Sequence, residues 1–494
     1  MTDTVLIVGA GPVGLTLALE LARYQIPVRL VDKMTGRSDT SRAVALWSRT
    51  LELLDRAGAT GDLLAIGNKV SVANILSGGR LIARVGLDDV PSPYPFVLMV
   101  PQCDTEAVLQ RHLDGFGVKP ELGAELIDFT QDDTGVAARL RSADGAERTE
   151  RFGWLIGCDG AHSTVRHTLG FAFDGDTLAN DWTLGDFHMT GSAFPLSELA
   201  TYWHEDGVIV FFPMGSGRYR LIANLGPSTG ATPVVPTLEQ FQALVDQRGP
   251  GGLVLTDAVW TTAFRINERQ VADYRSGRVF LAGDSAHVHS PAGGQGMNTG
   301  MQDACNLAWK LALAGRGIAT APVLLDSYSL ERQAVGAAVI QAAGRLTMAA
   351  TLQNPVAQHL RDLVAHFVMG IAPVRRAMAQ SMTEISVGYP NSPLNGPASA
   401  GERVRPVAGE VPYGSGDTPR FSLLAAPGAA QDIAALYPHL VAFVPQPAAP
   451  HGGLRLVRPD GYLAASVTGE RRDDIVAYLD AIAGEPTPGR PRAL

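Results

Sequence analysis

The sequence predicts an α/β fold in which a parallel sheet, covered by helices, is interrupted by a second and mostly antiparallel sheet. Three observations predict it. The first 32 residues read as strand, glycine turn, helix and strand (TVLIVGA, PVGLTLALELARYQ, PVRLVD). That is a βαβ unit, whose parallel strands need cover on both faces. Two more apolar strands, WLIGCDG and GRVFLAGD, each end in glycine and aspartate. Between them, from about residue 171, the texture changes to longer strands separated by turn residues.

The elements follow in order. Pro12 sits at a favourable early helix position. RTLELLDRA predicts a helix over about 49–57. VSVANIL and RLIARVGL read as strands joined by Ser77-Gly78-Gly79. DTEAVLQRHLDGF predicts a helix over 104–116, with Asp104 as its cap. Alternating segments follow to about 150. DWTLGDFHMTG, ATYWHEDGVIVFFPMG, GRYRLIANLG and VLTDAVWTTAFRI read as strands of the inserted sheet, interrupted by the helix TLEQFQALVDQ. Residues 300–388 are almost continuously helical in pattern. Residues 389–420 are rich in Pro, Gly and Ser and read as a linker or surface wrap. LVAFVPQ, GGLRLVRPDGYLAASV and DDIVAYLDAIAG predict a small C-terminal α/β domain. The expected division is 1–70 with 101–172 and 276–330 for the nucleotide fold, and 71–100 with 173–275 for the inserted sheet. A helical segment over 331–390, a linker over 391–420 and a last domain over 421–494 complete it.

Bulk properties exclude several classes. At 494 residues, 46% hydrophobic and 18% charged, the chain can bury sizeable cores and is not disordered. The net charge is −9 and no basic block is present, so nucleic acid is not an expected partner. Cys103, Cys158 and Cys305 are odd in number, with no ligand spacing, so neither a disulfide framework nor a metal site is expected. The apolar N-terminus lacks a basic n-region and is broken by Gly-Pro, so it does not read as a signal peptide. No apolar run spans a bilayer. The expectation is a cytoplasmic protein without a membrane partner, a monomer or homodimer.

The first chemical motif is Gly9-Ala-Gly11-Pro-Val-Gly14, which follows a strand and opens a helix. Gly9 permits a tight turn, Gly11 lets backbone approach a pyrophosphate, and Gly14 allows helix to pack on strand. Asp32 ends the second strand, where a ribose ligand belongs. The motif predicts a dinucleotide and leaves FAD or NAD open.

Further motifs decide. Gly157-Cys-Asp159-Gly160-Ala-His-Ser163-Thr-Val-Arg166 and Gly283-Asp284 each follow a buried strand, and Ser41-Arg42-Ala43 and Arg49-Thr50-Leu51-Glu52 precede them. In this order the chain resembles the FAD-dependent aromatic hydroxylases of the para-hydroxybenzoate hydroxylase type, most closely the bacterial branch acting on phenols and aromatic polyketides. The resemblance covers about residues 4–390 and, more loosely, the C-terminal part through LVRPDGYLA. It implies a Rossmann-like FAD-binding domain carrying an inserted substrate sheet. It implies that Gly9, Gly11, Pro12, Gly14, Asp32 and Lys33 hold the ADP half. Arg42 would lie near pyrophosphate and flavin, and Gln102 would contact the ribityl chain. Asp159, Gly160 and Arg166 would serve both FAD and NAD(P)H. Gly283 and Asp284 would meet the ribityl hydroxyls. Pro291, Gly293, Gly294, Gln295, Gly296, Met297 and Asn298 would pass beside the isoalloxazine, with Arg42, Pro291, Gly293 and Gln295 nearest the chemistry.

The physics of the last stretch agrees with that resemblance. Reduced flavin is anionic at N1–C2=O, and a helix N-terminus near Asn298 would stabilise it without a titratable group. Glycines let backbone lie close to a flat ring. His287 and His289, on a loop without acidic or thiol neighbours in sequence, read as packing groups before catalytic ones. Cys158 and Cys305 read as small buried residues. Met301, Ala304, Cys305, Ala308 and Leu311 form a helical stripe that reads as core. Arg166 reads either as a helix-face charge or as a ligand. Substrate contacts are expected from Trp203, His204, Phe211, Phe212, Tyr219 and Arg220, of which alternation turns only every second one toward a pocket.

Longer members of the resembled family carry a thioredoxin-like C-terminal domain. No cysteine follows Cys305, so dithiol redox chemistry is excluded there and a degenerate, structural domain is expected. The reaction implied by the resemblance uses NAD(P)H to reduce FAD. O₂ adds at C4a, and the hydroperoxide gives one oxygen to a small aromatic substrate. The rival readings are epoxidation or Baeyer–Villiger oxidation by the same intermediate, a non-catalytic flavin sensor, and a plain NAD dehydrogenase. Halogenation is disfavoured because no Trp-x-Trp-x-x-Pro element occurs.

Overall fold

The structure is a computed structural model that describes residues 4–36, 41, 43–191, 194–228, 230, 232–428, 430–445 and 453–484. Arg42 lies outside the described residues. The central sheet has the order Arg275–Ser276, Val279–Leu281, Trp154–Gly157, Val5–Val8, Val28–Asp32, Glu121–Leu122, and is parallel except for the antiparallel edge strand Arg275–Ser276. Val5 pairs with both Trp154 and Val28 in parallel register. Helix α1 (Pro12–Arg23) starts with proline at its first turn and buries Leu15, Leu17, Leu19 and Leu21. Its missing N–H costs nothing there.

The helix expected over 49–57 is α2 (Ser48–Asp55); a further helix, α3 (Ala59–Ile66), starts after Gly58, whose φ of 76° turns the chain between them. One expectation is corrected in this segment. The helix expected from Asp104 begins earlier, as α4 (Gln102–Asp114). Asp104 is therefore in its first turn and is not its cap. The Ser41 hydroxyl, distant in sequence, accepts from the Gln102 amide at 2.6 Å and takes that role. A three-stranded antiparallel sheet over Glu125–Phe152 follows, then the short helix α5 (Thr164–Leu169).

The second large sheet has eight strands in the order His287–Val288, Val254–Gln270, Asp174–Thr190, Arg218–Pro227, Gly207–Gly215, Glu198–His204, Val72–Ser77, Arg80–Gly86. All pairs are antiparallel except Glu198–His204 with Val72–Ser77. Helix α6 (Leu238–Arg248), started by a Thr237–Gln240 capping box, covers one face. There Phe241 packs on Phe187 with ring centroids 4.7 Å apart. The other face looks toward the parallel sheet.

Helices α7 (Gly296–Gly315), α8 (Pro322–Ala350), α9 (Pro355–Met369) and α10 (Ala372–Met382) complete the helical region. Helix α7 is buried along almost its whole length, the expected stripe included. The segment between α10 and Phe421 holds one isolated bridge, Arg403 to Tyr462, and is tied to the body by an Arg403–Glu52 ion pair. The last unit, with helices α11 (Gln431–Leu436) and α12 (Arg472–Ala483), has a four-stranded sheet. Its order is Val441–Pro445, Phe421–Ala425, Leu454–Val457, Leu463–Val467, and its first pair is parallel. The turn Arg458–Gly461 enters the main body. Arg458 pairs with Glu331 of α8 at 2.6 and 2.9 Å, and Asp460 accepts from Trp309 of α7 at 3.1 Å.

Candidate functional site

A cavity of about 780 Å³ lies between the two large sheets. On one side it is lined by the loops that follow three parallel strands: Pro12 and Val13, Ala161 and His162, and Asp284 with Pro291, Gly294, Gly296 and Met297. On the other it is lined by Leu184, Phe212, Arg220, Ile222, Thr262 and Phe264 of the eight-stranded sheet. The outer ends of parallel strands are where open α/β sheets bind ligands.

The three glycines of the first turn have different physical duties. A Cβ on Gly14 would lie 1.9 Å from the Gly9 carbonyl oxygen, and one on Gly9 would lie 2.3 Å from that of Cys158. These two glycines permit close packing of turn, helix and strand. A Cβ on Gly11 would meet nothing within 4 Å, so its bareness serves no contact within the chain. Asp32 accepts from the amides of Ala10 at 2.7 Å and Met34 at 2.8 Å, which fixes it beside this turn. Lys33 is exposed just beyond.

The second loop is built around Asp159. Its carboxylate accepts from the Ser163 hydroxyl at 2.6 Å and the Val165 amide at 3.2 Å. Burial raises its pKa despite those bonds. Gly160, at φ 78°, has open space where a Cβ would stand. Arg166 lies over the Phe173 ring at 3.9 Å. It donates to the Ala161 carbonyl at 2.8 Å and the Ser285 carbonyl at 3.1 Å, and so joins the second loop to the third. Burial lowers its pKa. Gln102 is also used locally: its side chain accepts from the Ala43 amide at 3.3 Å and donates to Glu106 at 2.9 Å.

The third loop, Gly283 to Asn298, has a buried anchor that local sequence does not reveal. Asp303, on α7, accepts from the Gly283 amide at 2.9 Å, from His287 Nε2 at 2.8 Å and from Arg332 Nε at 2.5 Å. The expectation that His287 lacks an acidic neighbour is corrected: the acid arrives from 16 residues downstream. Arg332, from α8, also donates to the Thr299 carbonyl at 3.0 Å. His289 lines the cavity and donates its Nδ1–H to the Ser290 carbonyl at 2.8 Å. Burial and the neighbouring His287 push its pKa down to about 4, so it is neutral at physiological pH.

The rest of the loop is fixed by Trp47. Its indole donates to the Gly293 carbonyl at 3.0 Å, and its amide donates to the Asn298 side chain at 2.8 Å. Asn298 returns a bond to the Ala45 carbonyl at 2.8 Å, so its side chain is committed to the scaffold. Gln295 is turned away from the cavity, toward the Ser381 carbonyl at 3.0 Å. Gly293 and Gly294 both take positive φ, 86° and 64°. Helix α7 begins at Gly296 with no side-chain cap, and the amides of Gly296, Met297 and Asn298 have no acceptor among the described residues. Gly296 and Met297 line the cavity, so a helix N-terminus with unsatisfied donors opens onto it. Asp284 is exposed beside it.

The opposite wall resolves the alternation. Phe212 and Arg220 line the cavity; Phe211 and Tyr219, their neighbours in sequence, pack under α6 on the far face. Trp203 lies beneath Arg361 of α9, and His204 sits at the hairpin turn before Glu205 and Asp206. Neither lines the cavity. Arg220 pairs with Asp186 at 2.7 and 2.9 Å, and Arg218 joins the same carboxylate at 2.8 Å. Two guanidiniums on one carboxylate leave this wall with excess positive charge. Arg269, and Arg265 in its pair with Asp181 at 2.8 Å, add a basic edge beside His162 and His167.

A cofactor can be tested against these features. An elongated group with an anionic edge fits the open helix terminus, a pyrophosphate fits the bare Gly11, and the cavity can take a flat ring against an apolar wall. The FAD binding domain family (FAD_binding_3) matches residues 2–343 of the chain. The 6-methylpretetramide 4-monooxygenase of Streptomyces rimosus is 37% identical over 92% of this chain and 76% of its own. OxyS anhydrotetracycline hydroxylase, also from Streptomyces rimosus, superposes with a TM-score of 0.78 at 28% identity, covering 99% and 100% of the two chains. The flavin-dependent monooxygenase PieE, solved in complex with FAD and substrate, superposes with a TM-score of 0.76 at 26% identity, covering 97% and 99%.

Proposed function

This chain belongs to the FAD-binding family of flavin-dependent aromatic monooxygenases, and from that premise we propose that it hydroxylates a phenolic or polycyclic aromatic substrate with NAD(P)H and O₂. One oxygen atom of O₂ enters the ring and the other leaves as water. Bound in the cavity, FAD would supply the electron transfer from NAD(P)H and the activation of O₂. The observation that carries the reading is the pairing of unsatisfied α7 amides with an apolar, partly cationic wall across one cavity.

The chain's own residues would divide the work as follows. Gly9, Gly11 and Gly14 would admit the pyrophosphate, and Asp32 and Lys33 would meet the adenosine end. Asp284 would accept from the ribityl hydroxyls, with Gln102 nearby. The amides of Gly296, Met297 and Asn298 would hold negative charge at the ring edge without offering a proton. Pro291, Gly294 and Ala45, which line the cavity together, would form the bed on which the ring lies. Arg166, His162 and Arg269, along the basic edge, would take the phosphates of NAD(P)H during a transient visit. Leu184, Phe212, Ile222 and Phe264 would bury the substrate and exclude water, which otherwise favours loss of peroxide. Arg220 would favour a substrate bearing a phenolate or enolate oxygen. The strand order of the last unit supports a degenerate thioredoxin-like domain, and with no cysteine after Cys305 it would serve without dithiol chemistry.

A panel of simple phenols and polycyclic phenols, scored by NAD(P)H consumption, peroxide release and product mass, tests the proposal. The expected result is stimulated NAD(P)H oxidation with a product heavier by one oxygen, placed on a ring carbon by NMR. Oxygen inserted beside a carbonyl would show ring insertion instead. FAD-loaded protein whose NAD(P)H oxidation no aromatic accelerates would favour a flavin-binding role without turnover.

A further inference from the structure

Helix α9 is amphipathic in the inverted sense. Three of its polar side chains face the body: Gln358 donates to the Leu352 carbonyl at 2.6 Å, and Arg361 donates to the Ala349 carbonyl at 3.0 Å and lies over Trp203 at 4.3 Å. Asp362 accepts from the Ser77 hydroxyl at 2.6 Å. Its apolar side chains face out. Val356 is 79% exposed, Leu360 58%, Leu363 61% and Phe367 74%, with Val364 between them, and the helix has no buried residue. A surface helix normally turns such a stripe inward. An exposed contiguous apolar patch of this kind marks an interaction surface.

We propose that α9 pairs with α9 of a second copy of this chain, antiparallel across a two-fold axis. The stripe is self-complementary in that arrangement. With the axis between Leu360 and Leu363, each Leu360 meets the other copy's Leu363, and each Val356 meets the other copy's Phe367, so the smallest side chain faces the largest. Two-fold interfaces require one patch to complement itself in this way. The outward face carries no Asp, Glu, Lys or Arg, and its polar side chains are the exposed His359 and His366, so two chains of net charge −9 meet there without opposed carboxylates.

The size of the patch sets the kind of dimer. Five such side chains offer about 400 Å² of apolar surface, judged from the area lost when a Val, Leu or Phe is buried. A standard interface uses roughly 800 Å² per partner. The stripe is about half that size, so the dimer is reversible and concentration-dependent. A bilayer fits the helix less well. Fifteen residues reach about 22 Å, short of the roughly 30 Å hydrocarbon core. Helices that lie on membranes carry Lys and Arg along their polar face, and the single Lys or Arg of α9, Arg361, is turned inward.

Sedimentation velocity of the FAD-loaded chain over a hundredfold concentration range tests the proposal. The expected result is a shift from one to two chain masses. Leu363→Glu abolishes that shift while leaving FAD content unchanged. Mixing the Leu363→Glu chain with a Leu360→Lys chain restores the two-chain species, because the two new charges meet only in the antiparallel register. A wild-type chain that stays monomeric throughout overturns the proposal, and so does a Leu363→Glu chain that still dimerises. A monomer that co-sediments with phosphatidylcholine/phosphatidylglycerol vesicles, and loses this with Leu363→Glu, overturns it in favour of a membrane.

Discussion

The carboxylate of Asp303 on α7 accepts a hydrogen bond from His287 Nε2 at 2.8 Å, both groups being fully buried. The same carboxylate holds the Gly283 amide and the Arg332 guanidinium. The start of the glycine-rich loop and the helix that ends it are thus fixed to one atom group, and α8 supplies the compensating charge. The histidine that the sequence offers as a catalytic suspect is a strut in this arrangement.

Asp303→Ala leaves the buried Arg332 without its ion-pair partner. The expected loss of stability is about 3–5 kcal/mol, read from the urea midpoint, with a further loss of FAD affinity because Gly283 is released. Asp303→Asn keeps the shape but only one acceptor oxygen, sets its NH2 against a donor on the other side and removes the charge that Arg332 needs, so it should destabilise as well. Equal stability of wild type and Asp303→Ala would contradict the anchor.

The glycines of the first turn separate folding from binding. Gly14→Ala places a Cβ 1.9 Å from the Gly9 carbonyl oxygen and should destabilise the FAD-free chain by about 1–3 kcal/mol. Gly11→Ala meets open space, so the FAD-free chain should melt as wild type does while FAD affinity falls at least tenfold. Melting curves with and without FAD distinguish the two. A Gly11→Ala chain with wild-type FAD affinity would remove the pyrophosphate from this turn.

Glu384 gives a pH signature. Burial pushes its pKa from 4.5 up to about 8, against the hydrogen bonds from Thr299 at 3.1 Å and Gln302 at 2.6 Å that pull it down. The folded chain therefore keeps a proton that the unfolded chain releases near pH 4.5. The stability this adds is whole below that pH, declines as pH rises, and is lost by about pH 8, a change on the order of a few kcal/mol. Glu384→Gln keeps an acceptor oxygen for Gln302, turns its NH2 to the Thr299 hydroxyl oxygen, which can accept it, and removes the titration. Urea midpoints between pH 5 and pH 8 should fall more steeply for wild type than for Glu384→Gln. Parallel slopes would show that the carboxyl is not protonated in the fold.

What could be read from the sequence was what depends on neighbours in the chain. Gly9, Gly14, Gly293 and Gly294 answer to local backbone geometry, and strand and helix periods are local too. Alternation separates Phe211 from Phe212, but which one faces the cavity depends on α6, which packs over the Phe211 side. The stripe on α9 reads as helix, yet its outward direction follows from tethers at Ser77 and Trp203, far away in sequence. Asp303, Arg332 and Trp47 join the site only through tertiary structure, and no spacing rule connects them to Gly283 or Gly293. Asp104 looks like a cap until Ser41 arrives from another loop to start the helix earlier.

The central claim is that Gly283–Asn298 is a backbone cradle for the flavin, bounded by Asp284 and the open end of α7. Titrating FAD into the cofactor-free chain and into its Asp284→Ala variant, followed by quenching of flavin fluorescence, tests it most directly. The account predicts one FAD per wild-type chain and at least tenfold weaker binding to a variant whose melting curve shows that it is folded. Wild-type affinity in Asp284→Ala would contradict the assignment of this stretch.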